Sequence, residues 1–264
     1  MSSQRFTHTF SVLAYQESPY LEECIKSVLA QDYSSEVVIA TSTPNQFIEK
    51  LAKKYNLEIK VNDGKTGIGA DFDFALNAGK TELVTIAHQD DIYDPGYSKA
   101  MVEAYCKHPD SLIIFPNYYE LRNGERVERN TLLNVKHFLL WPLRISSGKS
   151  KFMKRMALRF GDPISCPAVT FNMQKVHTPL FDNEMKNDVD WHAWEILSKE
   201  PGNFTFVDQK LMGHRIHADS ATTENIQDRT RTREDYEILR RFWPKWIAEK
   251  IAKLDAKSEK SNQT

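Results

Sequence analysis

"ELVTIAHQDDIYDPGYSKAMVEAYCKH", residues 82–108, decides how the chain is read. "ELVTIA" has the length and branching of a buried strand. It runs into His88, Gln89, Asp90 and Asp91, and beyond Pro95 helical spacing begins with "GYSKAMVEAYCKH". Strand, acidic loop and helix in that order form one step of a parallel sheet covered by helices. Adjacent carboxylates at the end of a buried strand are costly unless something pairs with them. Two readings stay open. The stretch is an ordinary acidic strand-end loop with Asp94 capping the next helix, or Asp90 and Asp91 offer hard oxygen ligands to Mg²⁺ or Mn²⁺.

The same alternation continues outward. "HTFSVLAY" reads as a strand, and Ser18-Pro19 opens a helix with proline at its first position and Glu22 and Glu23 in the first turn. Leu21, Ile25, Val28 and Leu29 give that helix its apolar face. "EVVIAT" is a short buried strand. Thr43-Pro44-Asn45-Gln46 reads as a capping box, with Phe47, Leu51 and Tyr55 following at helical spacing. "LEIKV" is a strand, "DFDFALNAG" a short helix ended by Gly79, and "SLIIF" a strand.

After Phe115 the pattern changes. "NYYELRNGERVERN" suits a hairpin around Asn123-Gly124. Residues 131–160 hold Lys136, Arg144, Lys149, Lys151, Lys154, Arg155 and Arg159, no acid, and interleaved Phe, Leu and Trp. Such a stretch fits a peripheral contact with an anionic membrane or a lipid-diphosphate acceptor. It equally fits amphipathic helix packed on the domain with its basic face in water. "FGDPISCPAVTFN" is turn-rich and then strand-like, "DVDWHAWEILSK" helical and "NFTFVDQKLM" a strand. From Glu224 the chain is charged and helix-prone, able to dock on the domain or to pair chains, with a frayed end.

Composition bounds the class. The 264 residues are 41% hydrophobic and 27% charged, with formal net charge −1, which suits one soluble domain and argues against a nucleic-acid partner. Cys24, Cys106 and Cys166 form no CxxC or paired framework, which fits a reducing, cytoplasmic setting. We find no secretory leader in "MSSQRFTHTFSVLAY", and no apolar run of roughly 18 residues that would span a membrane.

Two further constellations carry chemistry. In "NDVDWHAWEILS", Asp188 or Asp190 opens a helix, either as a cap over core tryptophans or as a general base beside an aromatic platform for a sugar acceptor. In "MGHRIHADSATT", His214 and His217 share a metal only if the segment is helical, and diverge on a strand or loop. Arg215 could neutralise a phosphate.

In order along the chain, "FSVLAYQESPYLEECIKSVLAQDY", "EVVIATSTPN", "GADFDFALNAGKTELVTIAHQDDIYDPGY", "VDWHAWEILS" and "HRIHADSAT" resemble glycosyltransferase family 2, of bacterial surface-polysaccharide type. The resemblance runs over about residues 8–223. It implies the α/β GT-A fold, a mostly parallel central sheet flanked by helices, with a C-terminal helical extension. The expected division is a transferase domain over 1–223, its donor half ending near 120 and its acceptor half covering 121–223, then an extension over 224–264.

The resemblance also assigns residues. Ala14, Tyr15 and Glu17 lie where base and ribose are met. Thr41 and Ser42 replace an acidic pair that usually contacts the base. Phe72 and Asp73 fall near the donor diphosphate. His88, Gln89, Asp90 and Asp91 form a variant DxD motif with His88 in place of the first acid. Asp90 and His217 are the implied ligands of Mn²⁺ or Mg²⁺, Asp190 the catalytic base, and Trp191 and Arg215 acceptor contacts. The activity implied is inverting transfer from a nucleotide-diphosphate sugar, UDP by default, to a hydroxyl of a glycan or lipid-linked oligosaccharide. It would take place in the cytoplasm or at the inner membrane face. The alternative is a catalytically decayed sugar-nucleotide-binding or scaffold protein on the same fold. A nucleotidyltransferase fits less well, because "AYQESPYLEE" is acidic where a glycine-rich basic loop belongs. A metallohydrolase lacks its HExxH.

Overall fold

The computed structural model describes residues 7–146, 148–217 and 230–261. The proposed boundary at residues 223–224 and the last residues of the tail lie outside them. Among the described residues nine strands form one sheet. Four parallel strands make its first half: β1 (His8–Ala14), β2 (Glu36–Thr41), β3 (Glu58–Val61) and β4 (Leu83–His88), in the order β3-β2-β1-β4. Helices α1 (Leu21–Leu29), α2 (Gln46–Tyr55) and α3 (Ile68–Ala78) connect them. These are the strand–helix steps expected of the sequence.

Beyond β4 the sheet becomes mixed. The short β5 (Ile92–Tyr93) leads into α4 (Tyr97–Lys107) and the long β6 (Ser111–Arg122). A two-residue turn then leads to β7 (Glu125–Val127), with Asn123 at φ 52° and Gly124 at φ 82°. Two successive positive φ values suit the right-handed strand twist, and Asn-Gly supplies them cheaply. Next come α5 (Thr131–Leu139), α6 (Trp141–Ser146), α7 (Lys151–Leu158) and β8 (Thr170–Asn172), which lies antiparallel between β4 and β6. Helix α8 (Val189–Leu197) precedes β9 (Asn203–Ile216), which runs parallel to β6 and pairs with β5 on its other edge. Helices α9 (Thr230–Leu239) and α10 (Lys245–Ser261) follow. No helix among the described residues is long and apolar enough to cross a membrane.

Side-chain alternation splits the core over the two faces of the sheet. On β4, Val84 and Ile86 join Leu76, Leu158, Trp191 and Trp194, while Leu83 and Ala87 join Phe10, Ile25, Ile48 and Met101. Ile238 and Leu239 of α9 and Ala248 and Ala252 of α10 belong to the first cluster. The C-terminal helices therefore dock on the domain, a choice the sequence left open.

Several local expectations are corrected. Pro19 sits in a turn before α1, where the Leu21 N–H bonds the Ser18 carbonyl, and Leu29 is exposed. Asn45, not Thr43, caps α2, accepting the Ile48 N–H at 3.0 Å. Asp94 does not cap α4 through its side chain, which takes the Tyr119 hydroxyl at 2.7 Å and Arg126 at 3.0 Å. The strand at "SLIIF" does not stop at Phe115. It continues to Arg122, with register shifts around Pro116 and Asn117, where proline lacks the N–H a regular ladder needs.

Candidate active site

Parallel register aligns the carboxyl ends of β1, β2 and β4. Ala14 faces Thr41, and Leu13 faces His88. Ligands of open α/β sheets bind beyond such ends. Here the loops are clasped to one another. The Gln89 side chain accepts the Tyr15 N–H at 2.9 Å and donates to the Tyr15 carbonyl at 3.1 Å. Thr43 accepts the Gln16 N–H at 2.6 Å, where Gln16 has φ 54°, and Asn45 donates to the Gln16 carbonyl at 3.1 Å. Ala14 is buried beneath this clasp, while Tyr15 and Glu17 stand exposed on its rim.

Thr41 is buried and accepts the Thr43 N–H at 3.0 Å. Ser42 donates to Asp71 at 2.8 Å, and Asn62 donates to the other oxygen of that carboxylate at 2.8 Å. Positions 41 and 42 carry no acid, and Ser42 instead binds a carboxylate of α3, from a residue the sequence reading passed over. Its nearest sequence signal was the pair Asp71 and Asp73 in a helical stretch. Asp73 itself accepts the N–H groups of Leu180 at 2.8 Å and Phe181 at 3.4 Å on one carboxylate oxygen, which seats the 180–181 loop. Burial pushes its carboxyl up. Phe72 packs its ring 5.1 Å from both His88 and Phe181.

The opening acids divide their work. Asp90 accepts the Ser18 hydroxyl at 2.8 Å and lies 3.4 Å from His217 Nε2. Asp91 is buried, accepting the Arg215 N–H at 2.8 Å and lying 3.2 Å from His214 Nδ1. Burial pushes Asp91 up, but His214, His88 and the Arg215 N–H together outweigh it and hold the carboxylate below its ordinary range. Burial likewise pushes His214 down, and Asp91 reverses this, so the imidazole is held more basic than usual. His214 and His217 therefore diverge to two different aspartates, as side chains on extended chain do. His88 is driven toward its neutral form by burial, and its Nε2 is buried without a hydrogen-bond partner among the described residues.

Asp90 and His217 fit one divalent cation. Ligand distances of roughly 2.1 Å let a single ion bridge atoms up to about 4 Å apart. Among the described residues no three His, Cys, Asp or Glu side chains converge to hold a metal. Further coordination would have to come from a ligand or water.

A second set of charged side chains, which forms the acceptor rim of the expected site, comes from scattered segments. Asp190 stands in the first turn of α8, with its Oδ1 accepting the Trp191 N–H at 2.9 Å. Burial pushes its carboxyl up, while that N–H, the Lys136 ammonium and His88 pull it down. Asp162 faces Asp190, and its carboxyl is pushed well above its ordinary range by burial and then by the Asp190 charge. Two acids facing each other in buried space share a proton as a pair. Lys136 of α5 stays protonated despite its own burial, because Tyr118, Asp162 and Asp190 face it. Sequence reasoning missed Asp162 and Lys136 as site residues.

Two assigned acceptor contacts are placed elsewhere. Trp191 is 2% exposed and donates its indole N–H to the Leu158 carbonyl at 3.1 Å, so it is core rather than a platform. Arg215 donates to the Asp90 carbonyl at 2.8 Å and to Glu23 at 2.5 Å, and stacks 4.4 Å over Tyr20. Its guanidinium is spent on fixing the Asp90 loop.

The segment before α8 is held from α9. Buried Glu234 accepts three consecutive backbone N–H groups, of Lys186 at 3.0 Å, Asn187 at 2.8 Å and Asp188 at 3.1 Å. A carboxylate there satisfies orphan donors at a helix start and opposes the positive end of its dipole. Glu195 of α8, fully buried, binds Arg155 of α7 at 2.7 Å and Arg241 beyond α9 at 3.3 Å.

Comparison with known proteins fits this arrangement. The family described as "Glycosyl transferase family 2" matches residues 9–177, a span that includes His88 to Asp91 and ends before α8. No curated protein matches the chain. The crystal structure of S. aureus TarS 1–349 with UDP-GlcNAc is similar at TM-score 0.60 and 17% identity, covering 94% of this chain and 70% of that one. This chain spans 42% of a longer TarS chain. The mannosyltransferase PcManGT from Pyrobaculum calidifontis, with GDP-Man and Mn²⁺, gives TM-score 0.60 at 15% identity, covering 96% and 70%. Glucosyl-3-phosphoglycerate synthase from Mycobacterium tuberculosis, with UDP, gives 0.56 at 15% identity, covering 89% and 80%. At such identities the likeness establishes the GT-A fold.

Proposed function

Because the chain belongs to glycosyl transferase family 2, we propose that it moves a sugar from a nucleotide-diphosphate donor, a UDP-sugar, to an acceptor hydroxyl with inversion. The observation that carries the reading is the meeting of Asp90 and His217 within 3.4 Å beyond the aligned strand ends, with Asp190 near enough for its charge to act on His88. The base and ribose lie along Tyr15, Glu17, Thr41 and Ser42, and Asp71 supplies the nearby acid. Phe72 and neutral His88 line the donor-sugar side, where the unpartnered His88 Nε2 can accept or donate one hydrogen bond. Asp90 and His217 would hold Mn²⁺ or Mg²⁺, which when bound screens the charge developing on the leaving diphosphate.

Asp190 accepts the acceptor hydroxyl's proton. The O–H bond breaks as oxygen attacks the anomeric carbon, and the bond from that carbon to the diphosphate breaks with its electron pair leaving on phosphate. Asp162 and Asp190 share one proton, so the pair carries one negative charge before the transfer, balanced by Lys136. The acceptor is a glycan or lipid-linked oligosaccharide of bacterial surface-polysaccharide synthesis, reached at the inner face of the membrane.

Calorimetry with UDP and Mn²⁺ tests donor binding, and Asp190→Asn tests the chemistry. The variant should bind UDP as the parent does while transfer falls by about 10²–10⁴-fold. Full transfer by Asp190→Asn would move the base elsewhere. Absence of binding to any nucleotide would favour the scaffold reading.

A further inference from the structure

Helices α5, α6 and α7 are apolar on two sides. Inward, Leu133, Leu140, Leu143, Ala157 and Leu158 are buried. Outward, α5 shows Leu132, Val135 and Phe138, spaced three apart along one stripe. On α6, Trp141 and Ile145 are four apart and both 54% exposed, and Phe152 opens α7 at 65%. Of the eleven exposed large apolar side chains among the described residues, seven fall within 131–160. If the basic residues alone faced water, these side chains would be buried, and they are not. A helix that is apolar all round is ordinarily covered on all sides.

Charge indicates what covers this one. No acidic residue occurs from Arg129 to Gly161. Lys154 turns inward to the carbonyls of Glu200 and Gly202, and Arg155 is tied to Glu195. Lys149 and Lys151 remain exposed with no carboxylate partner among the described residues. Gly148 fixes the unit to the sheet. Its carbonyl accepts the Phe204 N–H at 3.1 Å, at φ +65°, and a Cβ there would meet the Phe204 carbonyl oxygen at 1.8 Å.

We propose that the exposed face of α5–α7 docks on an anionic lipid bilayer, with Phe138, Trp141, Ile145 and Phe152 entering the interface and Lys149 and Lys151 meeting the headgroups. Apolar side chains flanked by unpaired lysines match that surface in both hydrophobicity and sign. A protein partner would need a matching acidic rim, and a second copy would set lysines against lysines. Helix α5 also carries Lys136, whose ammonium faces Asp162 and Asp190, so docking brings the bilayer beside the acceptor rim. The link to a lipid-borne acceptor rests on the reaction proposed above. The docking itself does not.

The full chain should co-sediment with phosphatidylcholine vesicles containing phosphatidylglycerol, and much less with phosphatidylcholine alone, with release by salt. Lys149→Glu with Lys151→Glu should weaken partition by at least about 25-fold, taking about fivefold per lysine near an anionic surface. Phe138→Ser with Phe152→Ser should abolish it. All four side chains are exposed, so melting temperature and UDP binding should stay at parental values. Failure of the parent to sediment with anionic vesicles while still binding UDP would overturn docking and leave the transferase reading standing. Parental partition by the Phe138/Phe152 variant would also overturn it. So would a dimer in solution that this variant splits, which would assign the face to a second copy.

Discussion

The two rims of the site are built by different means. On the donor rim, Gln89 and Thr43 clasp the Tyr15–Gln16 loop through backbone groups, and Ser42 reaches the Asp71 carboxylate at the start of α3. Each loop inherits its position from the sheet, and each bond is short and local in space. On the acceptor rim, Asp190, Asp162 and Lys136 come from three separate segments and bring charge into partly buried space. Charge removed from water must be matched or its pKa moves, so this rim is costly to assemble and sensitive to its supports. The difference separates a preformed binding surface from a poised acid–base group. Donor-rim changes should alter affinity, and acceptor-rim changes should alter turnover.

The strongest test of that division is Glu234, which touches neither rim. Glu234→Ala strands three backbone N–H groups just before the base helix. Leaving buried donors unmatched should cost about 2–4 kcal/mol of stability. With Asp190 no longer held in register, kcat should fall by roughly 10²-fold while UDP affinity stays within about threefold. Glu234→Gln keeps one acceptor oxygen and should recover part of the turnover. Equal losses in UDP affinity and in kcat would mean that α9 supports the whole domain rather than one rim.

A pH profile probes the acceptor rim more finely. Asp190 serves as a base only when deprotonated, so transfer declines on the acid side as its carboxyl fills. Burial pushes that carboxyl up, and the Lys136 ammonium is among the groups pulling it back down. Lys136→Met should therefore move the acid limb of kcat/KM to higher pH and slow the reaction at neutral pH. Asp162→Asn keeps a proton donor facing Asp190 and should leave the acid limb in place. A limb that moves in Asp162→Asn but not in Lys136→Met would reverse the roles given to the two residues.

How much of this was legible in the sequence follows the same division. The donor half announces itself because each strand end and its helix are contiguous. "ELVTIAHQDD" carries both a buried strand and the acids at its tip, and Asp91 supports that loop through His214 and the Arg215 N–H. Local caps were misplaced by a residue or two, since Asn45 competes with Thr43 for the same role and only the fold chooses. The acceptor rim left little trace. Asp162 sits in a turn-rich stretch and Lys136 in a run of bases, and neither spacing says that they meet Asp190. Trp191 looked like a sugar platform because aromatic residues serve sugars and cores alike, and burial alone decides. Glu234 lies in a charged helix that the sequence left open between docking on the domain and pairing chains, and its three N–H partners place it inside.

The smallest effect, and the one that tests the donor rim directly, belongs to His88. It stands where the resemblance expects an acid, neutral and buried, with its ring 5.1 Å from Phe72. If Asp90 and His217 hold a divalent ion, a second carboxylate at position 88 adds one negative charge to the same small volume. His88→Asp should then tighten Mn²⁺ binding by up to about tenfold, or ~1.4 kcal/mol, read by titration in the presence of UDP. Burial works against the gain, because an unpaired aspartate in that position would rather be protonated. The tightening should therefore appear above neutral pH and fade as the solution is acidified. Unchanged affinity across that range would mean that position 88 lies outside the field of the ion. Its role would then be confined to the single hydrogen bond its buried Nε2 can make.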